Sequence, residues 1–483
     1  MFLVYFIRQM DKIDIISEDP EFQRTCSALG LASGIGFLPH PESPWLMSAL
    51  RISLIPRVFP KHLYEHAQSL TGTIHKLVDV VSKNHQWLYD SLEGVCKSDP
   101  FTRRLCDISR EVHSVSISDW DRDVCLFALR TDYMTTGNDQ RILQVEVNTI
   151  STGFANISEQ LSSLHKLATA RLGGGYNLPI NTPGTELASA IAHAHNFYTS
   201  KFNLNAGNAR VLFIVEPSEK NEIDQRLLEL TLFNNHGLLV DRKSLEACNT
   251  DCVLGSAGQL SAGETEYSIV YFRSGYSPKD YPTEIEWQAR TLIEVSRAVK
   301  CPTIPGQLAG TKKIQQIWFS LPDKVFERFG LTVGRPDSEA DRIRSVFAVQ
   351  GDPSTDASMR ASAIAHPADW VLKPQREGGG NNLFNDEMVV KLQSAKSEEL
   401  KQYVLMERMR PNKAQALVSG NNADGSFTAR VIPDAVTELG IFSVFMSQGG
   451  LDKTTGHMLR TKDASTDEGG VNAGFAYLDT ISL

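Results

Sequence analysis

Long hydrophobic runs are missing from this chain. Its apolar opening stretch, Phe2 to Ile7, has no basic segment before it and no small-residue cleavage pattern after it. A bilayer needs about 20 apolar residues for a helical span, so the stretch reads as a first strand or a leader, and a membrane protein is excluded. A basic excess is missing too. Lys and Arg number 48 against 57 Asp and Glu, for a net charge of -9. Nucleic-acid binding rests on clustered Lys and Arg, so nucleic acid is excluded as a partner, although a single nucleotide needs only a local basic pocket.

Cysteine is sparse, odd in number and scattered: Cys26, Cys96, Cys106, Cys125, Cys248, Cys252 and Cys301. That excludes a disulfide framework and suits reduced thiols in the cytoplasm. "CNTDC", Cys248 to Cys252, has no second ligand pair for zinc. His193 and His195, in "HAH", would diverge on a helix. No repeat of fixed period and no low-complexity tract occurs. "GQLAGTKK" misses the Walker A spacing, and no GxGxxG follows a first strand. What is left has an ordinary globular composition, 41% hydrophobic and 22% charged, and is long enough for two or three packed units.

The patterns that are present alternate between helix and strand. His62 to Leu92 places apolar residues at three- and four-residue spacing, a helical pattern. "RILQVEVNTI" switches to strict alternation and predicts a strand. "ISEQLSSLHKLATARLGGG" predicts a helix closed by glycines. Near Asn208 a second unit begins. "ARVLFIV", "GLLVDR" and "YSIVYFR" read as strands around the helix "NEIDQRLLELTLFNNHG", which implies a partly parallel α/β layer. Residues 244–266 read as a polar loop or an insertion with weak structure. "EIEWQARTLIEVSRAV" and "TKKIQQIWFSL" return to helix, and residues 335–368 mix charged and small residues at helical spacing.

Two glycine-rich stretches, "VLKPQREGGGNN" (371–382) and "DEGGVNAG" (467–474), stand out in the last quarter. Three consecutive glycines cost backbone entropy and bury no side chain. Either Gly378 to Gly380 form a flexible hairpin tip, or their N–H groups close around phosphate oxygens. In "LQVEVN", alternation places Gln144, Glu146 and Asn148 on one face and Leu143, Val145 and Val147 on the other. That wet face is either plain amphipathicity or an oxygen ligand set for a hard cation such as Mg2+, to which Glu377 could add a carboxylate. Lys312, Lys373, Arg460 and Lys462 are cations that could meet phosphate, and "LRTK" runs directly into Gly469-Gly470, as a closing lid would. "LMERM" and "ELGIF" are apolar strands with an embedded acid.

Together these strings resemble the eukaryotic-type glutathione synthetases, ATP-grasp ligases. "DPFTRRLCDI", "VEVNTIS", "DQRLLE", "VYFRSGY", "QLAGTKKIQQ", "VLKPQREGGGNNL", "LMERM", "TELGIF", "GHMLRTK" and "GGVNAG" occur in the family's order from roughly residue 60 onward. The resemblance implies an α/β (α+β) ATP-grasp core built from residues 1–207 and 310–483. It also implies a glycine-rich lid and an inserted parallel-sheet α/β substrate domain at 208–309. It further implies ATP-dependent joining of γ-glutamylcysteine and glycine through an acyl phosphate, Mg2+ as cofactor, and a cytoplasmic homodimer. Sister ligases that use β-alanine or another small amine, and non-catalytic nucleotide-binding relatives, are the other readings.

Carried residue by residue, the resemblance implies that Glu146, Asn148 and Glu377 hold Mg2+. Lys312, Lys373 and Arg460 then act on the reacting groups. The implied ATP contacts are Gly378, Gly379, Gly380, Asn381, Asn382, Phe384, Met406, Glu407, Arg408, Met409, Glu438, Lys462 and Glu468, with Glu146, Lys312 and Lys373. The implied substrate contacts are Arg130, Ser151, Thr152, Gly153, Glu219, Lys220, Asn221, Gln225, Arg273, Ser274, Gly275, Tyr276, Arg460, Val471 and Asn472. Guanidinium groups suit the dipeptide because each pairs two carboxylate oxygens at once. Four positions depart from the pattern. Gly153 stands for a serine, Phe384 for a tyrosine, Glu468 for an aspartate and Asn472 for an alanine in the loop bordering the incoming amine.

Overall fold

The computed structural model describes residues 13 and 16–483, apart from 41, 44, 45, 115–122, 138–140, 422–426, 472 and 473. The opening run at Phe2 to Ile7 and the variant Asn472 therefore lie outside the described residues.

The helical pattern of 62–92 is not one helix. It divides into α1 (Lys61–Ser69), α2 (Thr71–Lys83) and α3 (His85–Ser98), followed by α4 (Pro100–Ser114). Asn84 makes the second break: its φ of -91° and ψ of 68° leave the helix, and its side chain accepts the Trp87 N–H at the start of α3. The apolar spacing survives the breaks because Leu63, Leu77, Leu88 and Leu92 all enter one core.

Next come β1 (Leu126–Thr135) and β2 (Ile142–Asn148), which pair antiparallel, with Arg130 opposite Asn148 and Asp132 opposite Glu146. Here the sequence-based alternation needs correction. The register shifts between Asp132 and Tyr133, so the next partner pair is Tyr133 with Gln144, and Val145 is an extra residue. Glu146 and Asn148 keep a common face toward a cavity. Gln144 is turned away from it and donates to Gln315 Oε1 at 3.3 Å. Helices α5 (Ala155–Arg171) and α6 (Pro183–Lys201) follow, and Gly173 to Gly175, all at positive φ, end the first of them as expected.

The strands and helices expected from Asn208 onward are present. Strand β3 (Ala209–Ile214) leads to α7 (Glu222–His236), stopped by Gly237 in the left-handed conformation at φ 65°, and then to β4 (Val240–Lys243). The expected polar loop at 244–266 is structured instead. Ser244 caps a helix at Leu245–Asp251, whose Leu245 and Cys248 are buried. A hairpin of β5 (Val253–Leu254) and β6 (Leu260–Ala262) joins β7 (Thr265–Phe272) antiparallel. Strand β7 is also parallel to β3 and to β8 (Val299–Cys301), so the order β4-β3-β7-β8 is parallel. Helix α8 (Glu284–Val295) begins in a capping box between Thr283 and Glu286, and α9 spans Lys312–Ser320.

Strands β9 (Gln350–Gly351), β10 (Trp370–Pro374) and β11 (Tyr403–Glu407) form a small antiparallel sheet with β11 central. The chain then returns to the first sheet as β12 (Ala414–Asn421), β13 (Phe427–Met446), β14 (Asp452–Asp463) and β15 (Tyr477–Asp479). Its order is β15-β14-β13-β1-β2, with β12 also on β13. Both faces of this sheet are covered: Phe127 and Leu129 enter the core of α1 to α4, while Leu126 and Ala128 enter the core of α5 and α6.

Candidate active site

The site is assembled around Asp132. Strand pairing sets Arg130 and Asp132 beside Asn148 and Glu146 on one side, and Glu438 on β13 beside Arg460 on β14 on the other. Asp132 is fully buried. Its carboxylate accepts from Arg130 Nε at 2.7 Å and Nη2 at 2.8 Å, from Asn148 Nδ2 at 3.0 Å and from Arg460 Nη2 at 3.0 Å. Arg460 also pairs with Glu438. Asp132 was not singled out in the sequence, although its i+2 spacing from Arg130 on a strand carries the same signal as Glu146 and Asn148.

Two cavities meet at this cluster. The first, about 490 Å3, lies between the small sheet and the first sheet. Met406, Glu407, Arg408, Met409 and Phe384 form one wall, and Lys373, Lys312, Glu146, Asn148, Glu438 and Lys462 another. Gly378, Gly379, Asn382, Glu468, Gly469 and Gly470 cover it. Gly380 does not face in: its N–H donates to Glu468 Oε2 at 2.9 Å, which ties the triglycine loop to the second glycine loop. The second cavity, about 600 Å3, is lined by Ser151, Thr152, Gly153, Glu219, Asn221, Arg273, Tyr276, Glu377, Asn381 and Val471. Arg130, Asn148, Arg376 and Arg460 border both.

Charges are crowded where the two cavities meet. Lys312 Nζ lies 3.4 Å from Glu146 Oε2 and 3.8 Å from Glu377 Oε2. Burial alone would raise Glu146, but Lys312, Lys373, Arg460 and Arg130 outweigh it and hold its carboxyl at about 2. Burial pushes Glu377 and Glu438 up, with Lys312 and Arg460 respectively as the main opposing charges. Burial lowers Lys373 despite Glu146, and lowers Lys462 despite Glu438 and Glu468. Lys312 is raised, because Glu377 and Glu146 overcome its burial. The Asn148 amide nitrogen donates to the Arg130 carbonyl and to Asp132. Its carbonyl oxygen is thereby directed to the cavity, so the set Glu146, Asn148 and Glu377 offers oxygens only, which fits a hard divalent cation.

The second cavity carries two unmet donors and one unmet acceptor. Arg273 Nε and Nη1 and Asn221 Oδ1 are buried without a hydrogen-bond partner among the described residues. The absent side chain at Gly153 matters here: a Cβ would lie 3.1 Å from both Arg273 Nη2 and Asn221 Nδ2. Tyr276 Oη donates to Glu216 at 3.1 Å.

Four substrate candidates stand back from the cavities. The Lys220 side chain is exposed and only its carbonyl is used, by Leu38 N–H. Gln225 bonds Glu219 through Nε2 at 2.8 Å and accepts from Arg242, so it orients a lining residue. Ser274 is buried with its N–H on the Ile214 carbonyl. Gly275, at φ 92°, donates to Asp280. The sequence reading also missed Arg376, which grips buried Asp99 at 2.7 and 3.0 Å. It missed Asp224 as well, whose carboxylate accepts the Phe154 and Ile157 N–H groups and shapes the turn carrying Ser151 to Gly153.

A model of the eukaryotic glutathione synthase ATP-binding domain matches residues 19–483, so the likeness begins well before residue 60, where the motifs first show it. Among curated proteins, a glutathione synthetase of Dictyostelium discoideum is 36% identical over 89% of this chain and 90% of its own. That of Homo sapiens is 36% identical over 91% of each. A chloroplastic glutathione synthetase of Arabidopsis thaliana is 35% identical over 97% of this chain and 82% of its own. Among solved structures, a glutathione synthetase like-effector of Globodera pallida in apo form aligns with a TM-score of 0.73 at 21% identity, covering 97% of each chain. The chain is thus an ATP-binding ligase in class. It belongs to the eukaryotic glutathione synthase family.

Proposed function

We propose that this ligase makes glutathione by phosphorylating the cysteinyl carboxylate of γ-glutamylcysteine with ATP and then transferring that acyl group to glycine. The observation that carries this reading is the junction of the two cavities at Arg130, Asp132 and Arg460. A nucleotide in the first cavity and a peptide in the second would bring phosphate and carboxylate together there. The lining chemistry supports ATP in the first cavity and the dipeptide in the second, and an ATP-grasp core with a lid built from the loop at 464–470 belongs to the same reading.

Met406, Met409 and Phe384 give an apolar slot for the base. Lys312, Lys373 and Lys462 face the phosphates, and the N–H groups of Gly378 and Gly379 lie beside them. Arg273 takes the dipeptide by two-point contact with a carboxylate, and Glu219 takes its ammonium group. Mg2+, held by Glu146, Asn148 and Glu377, would neutralise phosphate charge. Arg130 and Arg460, fixed by Asp132, hold the acyl carboxylate for in-line attack.

In the first step the carboxylate oxygen forms a bond to the γ-phosphorus, and the bond to the ADP oxygen breaks. In the second the glycine nitrogen bonds the acyl carbon, phosphate leaves, and the amine loses a proton. Positioning and charge neutralisation suffice for such steps. No protein nucleophile is required.

The division at 208–309 as an inserted substrate unit, and a homodimer, belong to the same proposal. No helix among the described residues is long and apolar enough to cross a membrane. All seven cysteines are buried and unpaired, which supports a reducing compartment such as the cytoplasm. The test is phosphate release from ATP with γ-glutamylcysteine and either glycine, β-alanine or serine, with the product weighed by mass spectrometry. Release that needs the dipeptide and yields glutathione is expected. Release indifferent to the dipeptide, or no ligated product, overturns the reading.

A further inference from the structure

Away from both cavities, three potential metal ligands converge where the helical layer meets the first strand. His85 opens α3, His113 lies in the last turn of α4, and Asp123 precedes β1. Their ligand atoms all lie within 4.8 Å of one another. His85 Nε2 is 3.0 Å from Asp123 Oδ1, and His113 Nε2 is 3.4 Å from the same oxygen. Tetrahedral zinc with bonds of about 2.0–2.1 Å sets ligand atoms about 3.3–3.4 Å apart. Two of the three edges are therefore already near their bound length.

The hydrogen bonding points the same way. His113 Nδ1 lies 2.8 Å from the Ser109 carbonyl, which can only accept, so Nδ1 carries the proton. That leaves Nε2 as a bare lone pair in the neutral ring. It is buried, makes no hydrogen bond, and faces a carboxylate oxygen. Either a second proton on the imidazole or a metal ion between the two atoms satisfies the pair, and His85 Nε2 already shares a hydrogen bond with the same carboxylate oxygen at 3.0 Å. A ligating imidazole whose other N–H is held by a backbone carbonyl is the arrangement metal sites use to fix the ring. Asp123 is held too: its carbonyl accepts from Ser447 Oγ at 2.9 Å, and the same Oγ accepts the Cys125 N–H.

We propose that His85, His113 and Asp123 bind one divalent transition-metal ion of the Zn2+ class, with solvent as the fourth ligand. Two imidazole nitrogens select such ions over magnesium. The partial exposure of the His85 and Asp123 side chains, 22% and 27%, gives water the open position. The bound ion ties α3 and α4 to the start of β1. Asp123 stands seven residues before Arg130 along an extended chain, roughly 20 Å away, so this ion is separate from the magnesium set of the active site.

The test uses the full chain freed of metal by chelation and then held in excess Mg2+. Co2+ is added as a spectroscopic probe and Zn2+ as its competitor. One equivalent of Co2+ with a tetrahedral visible spectrum, displaced by Zn2+ and accompanied by a rise in Tm, is the expected result. His85→Gln, His113→Gln and Asp123→Asn should each weaken it by at least about tenfold while keeping the Mg2+-dependent ligase activity. X-ray absorption of the Zn2+-loaded wild-type chain should show two imidazoles and no sulfur, a readout that needs no variant. Absence of stoichiometric binding by the wild-type chain, as when only a proton is shared there, overturns the proposal. So does sulfur ligation, or equal binding by folded variants.

Discussion

Asp132 holds Arg130 by two parallel hydrogen bonds, Nε to Oδ1 at 2.7 Å and Nη2 to Oδ2 at 2.8 Å. Through that same Oδ2 it also holds Arg460 at 3.0 Å. One buried carboxylate thus positions two cations that border both cavities. Breaking a buried ion pair from one side costs about 3–5 kcal/mol because the other charge is left uncompensated. Asp132→Asn should lower Tm and reduce kcat/KM for γ-glutamylcysteine about 100-fold, more than it affects KM for ATP. Parental kcat/KM in a folded variant would remove Asp132 from the account.

The chain's motifs made much of the site legible. Glu146, Asn148, Lys312 and Lys373 are recognisable from strand alternation and loop composition, and they line one cavity. Asp132 and Asp99 were not, because each acts by orienting an arginine, and only strand register or a contact distant in sequence reveals that. Gln144 was assigned to the wrong face because a single extra residue, Val145, inverts every side chain before it. The 244–266 segment looked like a loop because its elements are short, a helix of 7 residues and strands of 2 and 3, so that the helical spacing of buried Leu245, Cys248 and Cys252 spans too little chain to stand out.

Arg273 has buried Nε and Nη1 atoms that meet no acceptor. A hydrogen bond to a charged group contributes about 1.5–3 kcal/mol. Arg273→Lys should therefore raise KM for γ-glutamylcysteine by about 10- to 100-fold and move KM for ATP less than twofold. Steady-state kinetics with each substrate varied in turn decides this. Equal rises would place Arg273 outside the dipeptide site.

Glu468 links the loop at 464–470 to the triglycine loop through the Gly380 N–H at 2.9 Å. Glu468→Ala removes that tie and leaves in place the Lys462 hydrogen bonds, which go to the backbone carbonyls of Asp467 and Glu468. KM for ATP should rise severalfold and limited proteolysis within 464–470 should accelerate in the ligand-free chain. No change in either measurement would show that the loops close independently.

Asp479 is buried, and burial raises its carboxyl from 3.8 to about 7, with the Thr461 hydroxyl and the Thr480 N–H partly offsetting. A carboxyl raised in the fold keeps its proton longer than in the unfolded chain. Its contribution to stability is therefore full below about pH 4 and is lost as pH rises toward 7. The Asn variant lacks this dependence. The Tm of Asp479→Asn relative to wild type should climb between pH 4.5 and pH 8, on the order of several degrees, and a constant difference would refute the assignment.

The most direct test of the account follows an oxygen atom. γ-Glutamylcysteine labelled with 18O in its cysteinyl carboxylate is turned over with ATP and glycine, and the released phosphate is analysed by mass. Attack of that carboxylate on the γ-phosphorus requires one labelled oxygen to leave with the phosphate, and the account predicts one 18O per phosphate formed. Unlabelled phosphate formed alongside ligated product would contradict the acyl phosphate and the junction of cavities built to make it.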